Sequence, residues 1–279
     1  MFEKAIVILS KILSKLKCMS NSFSLKRDFK EYMAQLQQRA DKPLLTSRII
    51  RLVDMSVRER EFFTHLDAFA KYAFEEILPS HKFGGPKARL FDIGSAKSFL
   101  AMASLVCDVE ALNLSDPLDR YTSVNYINKD ISEYEPHSNP YCGTYQYITS
   151  MATFHLLGLG RYGDKINASA QDKFVEVCEA LLKPGGKLIF SFSLGKDHLV
   201  FNNGWVFSLE TIKQFFSNFK LLNTIVDRNS SGRVYLRQGE DPNERFVKID
   251  VQAGANYKYR DPGSKGPRYD TALFTFEKL

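Results

Sequence analysis

A chain of 279 residues with 44% hydrophobic content is long and apolar enough for one large globular domain, or for a domain with an extension. Its formal charge of +6 is unevenly held: residues 1–60 carry 13 Lys/Arg against 6 Asp/Glu, while the remainder is close to neutral and gives no reason to expect a nucleic-acid groove. Cys18, Cys107, Cys142 and Cys178 are scattered, as are the five histidines, so the expectation is structural thiols in a reducing, cytoplasmic compartment, with no metal site.

On a helical wheel Phe2, Ala5, Ile6, Leu9, Ile12, Leu13 and Leu16 share one face of residues 1–17, with Lys4, Lys11 and Lys15 opposite. The segment is too short and too lysine-rich to span a bilayer, and it lacks the pattern of a secretory signal. Two readings remain: peripheral adsorption to an anionic membrane surface, or an ordinary helix packed on the domain or on a second subunit.

Ser24 is positioned to cap a second helix carrying Leu25, Phe29, Tyr32, Met33 and Leu36, which Pro43 ends. Phe62, Phe63, Leu66, Phe69, Ala70, Ala73, Phe74 and Ile77 predict a third helix over residues 59–78 with a core-facing stripe. The expected organisation is a helical extension over 1–58 and an α/β domain over 59–279.

From residue 88 strand and helix signals alternate, which predicts a mostly parallel sheet with helices on both faces. The first strand, 88–93, ends at Asp92 and turns through Gly94, Ser95 and Ala96 into a helix over 97–106. In open α/β sheets a ligand sits beyond such strand ends, where backbone N–H groups approach it closely. A second strand over 109–115 ends at Asp116, placed either for ribose hydroxyls or as a cap before Pro117. A third, 123–127, leads to Asp130, which either reaches an adenine amino group or is a solvated turn residue.

The fourth strand, 145–150, opens into Leu157-Gly158-Leu159-Gly160-Arg161-Tyr162-Gly163-Asp164. Three glycines so close together predict positive φ or close backbone approach, in a loop bordering the site. Ser169 to Asp172 resembles a capping box for a helix carrying Phe174, Val175, Val177, Cys178, Leu181 and Leu182. Lys183-Pro184-Gly185-Gly186 stops it, and 187–193 reads as strand five. A helix over 209–219, a strand over 220–226, a long excursion over 228–270 and a last strand over 272–277 complete the pattern.

The order of strand, acid and glycine, then second-strand and third-loop acids, then Leu182-Lys183-Pro184-Gly185-Gly186, resembles the class I S-adenosylmethionine-dependent methyltransferase fold. That resemblance implies a Rossmann-like α/β sandwich with a mostly parallel seven-stranded sheet. More narrowly, Asp92-Ile93-Gly94-Ser95, the glycine loop through Asp164, and Gly195-Lys196-Asp197-His198-Leu199-Val200-Phe201-Asn202 are similar to an uncharacterised domain-of-unknown-function family related to those enzymes. Ala96 and Ser98 stand where the usual loop has glycines, and Gly204-Trp205 where the narrower family favours a His-Arg pair.

By this resemblance Asp92, Gly94 and Ser95 line the methionine end of S-adenosyl-L-methionine, Asp116 the ribose and Asp130 the adenine. The implied reaction is methyl transfer to an oxygen, or less favourably a nitrogen, of a glycan or small metabolite. Catalysis would be largely positioning. His155 and Asp164 are the candidate bases. Arg161, Tyr162 and Asn202 are the candidate acceptor contacts, with Arg161 offering a planar fork for carboxylate or phosphate. The competing readings are a non-catalytic protein that keeps the fold to bind a ligand or partner, and an RNA-modifying enzyme using the basic N-terminal arm.

Overall fold

The computed structural model describes residues 27–35, 38, 48–52, 64–80, 85–114, 121–201, 203–227, 246–249 and 269–279. The basic segment 1–17, Ser24, Asp116, Asn202 and most of the 228–270 excursion lie outside the described residues. Among the described residues no helix is long and apolar enough to cross a membrane.

A helix over residues 27–35 (α1) precedes strand β1 (Arg48–Leu52) and α2 (Thr64–Ile77). The alternating core follows as β2 (Ala88–Ile93), α3 (Lys97–Val106), β3 (Cys107–Asn113), β4 (Val124–Asn128), β5 (Tyr145–Met151), α4 (Ala170–Leu181) and β6 (Leu182–Leu194). Then come β7 (His198–Phe201), β8 (Gly204–Phe207), α5 (Leu209–Phe215), β9 (Phe219–Asp227), β10 (Phe246–Ile249) and β11 (Asp270–Lys278).

The central sheet runs β4-β3-β2-β5-β6-β11-β9, parallel throughout except for β11, which is antiparallel to both neighbours. Numbered by their order in this core, the strands read 3-2-1-4-5-7-6 with a reversed seventh. This is the Rossmann-like sandwich of the class I methyltransferase fold. β10 adds to the outer edge, pairing antiparallel with β9.

The central strands β2, β5, β6 and β11 are buried on both faces over most of their length, as a helix-covered sheet requires. Leu90, Val109, Ala111, Ile189 and Leu273 face α2 and α3, packing on Phe69, Ala73, Ile77, Phe99, Leu100 and Ala103. The alternate residues Phe91, Ile148, Phe190, Phe192, Phe274 and Phe276 face α4 and α5. Phe154 joins that second layer, with its ring centroid 5.0 Å from that of Phe174 and 5.4 Å from that of Phe190.

Three local readings change. The Lys183–Gly186 turn is absorbed into β6 as an irregularity, because Tyr145 pairs with Leu182 and Tyr147 next with Lys187. Ser169 makes no capping bond with its side chain, and its own amide donates instead to Asn167 Oδ1 at 2.9 Å. The seven expected strands also gain neighbours: β1 and the antiparallel pair β7 and β8 extend the sheet.

That extension has a definite place. β11 occupies one edge of β6 as far as Leu194, while β5 leaves the other edge after Met151 pairs with Ser191. β8 takes the vacated edge, pairing Val206 with Ser193 and Phe207 with Leu194. The β7–β8 hairpin therefore stands beyond the carboxyl end of β5. β1 pairs along the outer side of β7.

Candidate active site

The carboxyl ends of β2 and β5 lie side by side where the strand order reverses, the place at which open α/β sheets bind ligands. Asp92 is fully buried there, behind the turn rather than on its surface. Ser95 donates to it twice, from its amide to Oδ1 at 2.9 Å and from its hydroxyl to Oδ2 at 2.6 Å. Thr149 of β5 donates its hydroxyl to Oδ2 at 2.6 Å. Burial pushes the carboxyl up to about 6, against the opposing pull of these hydrogen bonds.

The network continues across the strand ends. Ser95 Oγ also accepts from the Met151 amide at 2.9 Å, Ser150 Oγ donates to the Ile93 carbonyl at 2.8 Å, and Thr153 Oγ1 donates to the Gly94 carbonyl at 3.0 Å. Gly94 has φ +74°, and a β-carbon there would lie 2.8 Å from the Thr153 side chain. Glycine is thus required by the turn and by its neighbour alike. β5 closes with Ala152 at φ 58°, its amide held by Ser191 Oγ at 2.9 Å. A non-glycine residue at positive φ is strained, and this strain sits at the switch point.

Facing outward from the turn are Gly94 and Ala96–Ser98, all exposed. Ala96 precedes α3 without a capping side chain, and no acid stands in the first turn. The amides of Lys97 and Ser98 are left to act as donors at the positive end of the helix dipole.

The glycine loop is built by its own residues. Its three glycines all take positive φ, as their spacing predicts. Asp164 accepts from the amides of Gly160 and Tyr162, each at 3.2 Å, and burial raises its carboxyl from the ordinary value. The loop closes through the Asn167 amide to the Gly158 carbonyl at 3.0 Å. Asp130 accepts from the amide and hydroxyl of Ser132, at 2.8 and 2.7 Å, and from the Lys165 amide at 2.9 Å. An ion pair between Lys165 and Glu133 adds a second tie between β4's end and the loop.

The loop meets the β7–β8 hairpin, which roofs the carboxyl end of β5, through Arg161, whose Nη1 donates to the Asn203 carbonyl at 3.0 Å. Tyr162 is exposed, its ring centroid 5.1 Å from the guanidinium. His155, in a short 3-10 turn after β5, is half-buried against Gly204, where a β-carbon would come within 2.6 Å of its ring. The Gly204-Trp205 pair thus has a packing reason: Gly204 makes room for His155, and Trp205 Nε1 donates to Tyr32 Oη of α1 at 2.8 Å.

Of the sequence candidates, the structure brings Asp92, Gly94, Ser95 and His155 to the switch point, and ties Asp130, Arg161, Tyr162 and Asp164 into the loop beside it. Thr149, Thr153, Asn203 and the α1 residues Tyr32 and Gln35 were not picked out from sequence. The hairpin left a signal: Asn202, Asn203 and Gly204, turn-favouring residues, separate the apolar runs Leu199–Phe201 and Trp205–Phe207. Helical periodicity puts Tyr32 on an apolar face without showing what it meets, and no local pattern marks Thr149, Thr153 or Gln35.

A family described as "Caenorhabditis protein of unknown function, DUF268" matches residues 93–241. Among curated proteins none matches the chain in sequence. Among solved structures the chain is similar to the Burkholderia thailandensis 1,6-didemethyltoxoflavin-N1-methyltransferase with bound 1,6-didemethyltoxoflavin and S-adenosylhomocysteine, at 12% identity and TM-score 0.48, over 77% of this chain and 79% of that one. It is also similar to the N-methyltransferase NodS of Bradyrhizobium japonicum in complex with S-adenosylhomocysteine, at 14% identity and TM-score 0.45, over 77% and 91%. A Mesorhizobium loti S-adenosylmethionine-dependent methyltransferase matches at 13% identity and TM-score 0.45, over 76% and 100%.

Proposed function

Proceeding from the premise that the chain belongs to the family DUF268, whose description carries no activity, we propose that it is an S-adenosylmethionine-dependent methyltransferase acting on an oxygen of a small-molecule or glycan acceptor. The observation that carries this reading is the uncapped, acid-free start of α3 at the switch point of a 3-2-1-4-5-7-6 sheet. The amides of Lys97 and Ser98 suit the carboxylate of an amino acid, and the exposed backbone at Gly94 and Ala96 leaves room for its chain. S-adenosylmethionine, when bound, supplies an electrophilic methyl group.

The chain's own contribution is mainly to hold the acceptor in line and exclude water. Asp92 maintains the turn from behind. Asp164 is occupied by two loop amides, which leaves His155 as the better-placed base to take a proton from an acceptor hydroxyl. Asp116 and Asn202 keep the ribose and acceptor roles that the resemblance implies for them.

The test is calorimetric titration of the full chain with S-adenosylhomocysteine, for wild type, Lys97→Pro and Lys97→Gln. Proline fits the first helical position and follows Ala96 at ψ 145°, so it removes one amide donor while leaving the helix intact. Micromolar binding that weakens tenfold or more in Lys97→Pro relative to Lys97→Gln is expected, in line with about 1.5–3 kcal/mol for a hydrogen bond to a charged group. A well-folded wild type that binds neither S-adenosylmethionine nor S-adenosylhomocysteine sinks the reading in favour of a non-catalytic binding protein.

A further inference from the structure

We propose that the acceptor is an anion, a phosphate- or carboxylate-bearing molecule, and that Arg161 is the residue that binds its charged group. This rests on the reading of the switch point as a methyl-transfer site. The contacts run without a break from one to the other: Gly94 to Thr153, then His155 two residues on, His155 against Gly204, and the Asn203 carbonyl to the Arg161 guanidinium. Arg161 is therefore joined to the cofactor turn through the segment that carries the candidate base.

Its chemical state supports the assignment. The guanidinium is half-buried, yet among the described residues its hydrogen-bond partner is a neutral carbonyl, and no described carboxylate lies within ion-pair distance. Asp164, three residues away in the same loop, is turned to the Gly160 and Tyr162 amides. A side chain needed only to join the loop to Asn203 would require a single N–H. Arginine brings a full positive charge, and the rest of its planar fork matches the oxygens of phosphate or carboxylate. Lys97 and Lys129, both exposed and without an acidic partner among the described residues, add positive charge along the same edge. Tyr162 flanks the guanidinium with an exposed ring suited to the body of a ligand.

The experiment titrates the full chain, with and without saturating S-adenosylhomocysteine, with inorganic phosphate, pyrophosphate, acetate and citrate, comparing wild type with Arg161→Gln, Arg161→Lys and Lys220→Gln. Lys220 is exposed at the amino end of β9, on the opposite edge of the sheet. Saturable anion binding is expected, weakened at least tenfold in Arg161→Gln, partly retained in Arg161→Lys and unchanged in Lys220→Gln. The glutamine amide can still donate to the Asn203 carbonyl, so the circular dichroism of Arg161→Gln should match wild type. Tighter binding of the phosphates assigns a phosphorylated acceptor, and tighter binding of the carboxylates a carboxylated one. Equal binding by wild type and a folded Arg161→Gln, or no anion binding by wild type, overturns the inference even where S-adenosylhomocysteine binds. Anion binding that depends on Arg161 without S-adenosylhomocysteine binding leaves the anion site standing and removes the methyltransferase reading.

Discussion

Asp92 shows how one buried residue holds the turn together. A fully buried carboxylate gives up hydration, and three donors from Ser95 and Thr149 return part of that cost. Its folded value of about 6 lies above the ordinary 3.8, so the folded chain takes up this proton before the unfolded chain does. The group's contribution to stability therefore grows as pH falls through 6 towards 4, and its penalty is complete above neutrality. The stability difference between wild type and Asp92→Asn, from urea unfolding, is expected to shift in favour of wild type by about 1 kcal/mol between pH 7.5 and pH 5. A gap independent of pH would mean that the carboxyl titrates normally. The acid and the glycine were legible in sequence because an apolar strand ends on them. Thr149 and Thr153 were not, because their roles come from another strand laid alongside.

Among the elements, α1 gains its meaning from what it holds. Phe29 and Tyr32 pack on Phe201, at centroid distances of 5.3 and 5.9 Å, and Tyr32 accepts from Trp205. Gln35 grips the glycine loop from both ends of its amide, donating to the Ile166 carbonyl at 3.2 Å and accepting from the Ala168 amide at 2.9 Å. The helix thus fastens the roof hairpin to the loop carrying Arg161. Gln35→Ala removes both bonds, about 1–2 kcal/mol together, and is expected to raise local opening roughly tenfold. Limited proteolysis within residues 27–35 should accelerate accordingly, with circular dichroism unchanged. A cleavage rate equal to wild type would show that the aromatic contacts alone hold the helix. The roof hairpin has a second anchor: Asp197 accepts from the amide and hydroxyl of Ser208, at 2.6 and 2.9 Å, and Ser208 caps α5. Helical periodicity revealed α1's inward face, but not that the partners of this face lie some 130 to 170 residues away.

Across the whole molecule, the aromatic layer on the α4 and α5 side joins core and site. Phe154 is fully buried and meets Phe174, Phe190, Phe192, Phe207, Phe215 and Phe216, and it immediately precedes His155. Phe154→Ala should cost about 3–5 kcal/mol, from lost burial and the cavity left behind. Phe154→Leu should cost less, and a denaturant midpoint as low as that of the alanine variant would contradict the packing argument. Sequence determined the alternation of strands and helices, the inward faces of the helices and the positive-φ loop, because these follow from local periodicity and from glycine's backbone freedom. Tertiary structure alone decided that β8 occupies the edge β5 vacates, that Asp130 and Asp164 hold backbone amides, and that Arg161 meets the Asn203 carbonyl and no acid among the described residues. Edges, hydrogen-bond partners and charge pairing depend on residues distant in the chain, and no local pattern encodes which of them meet.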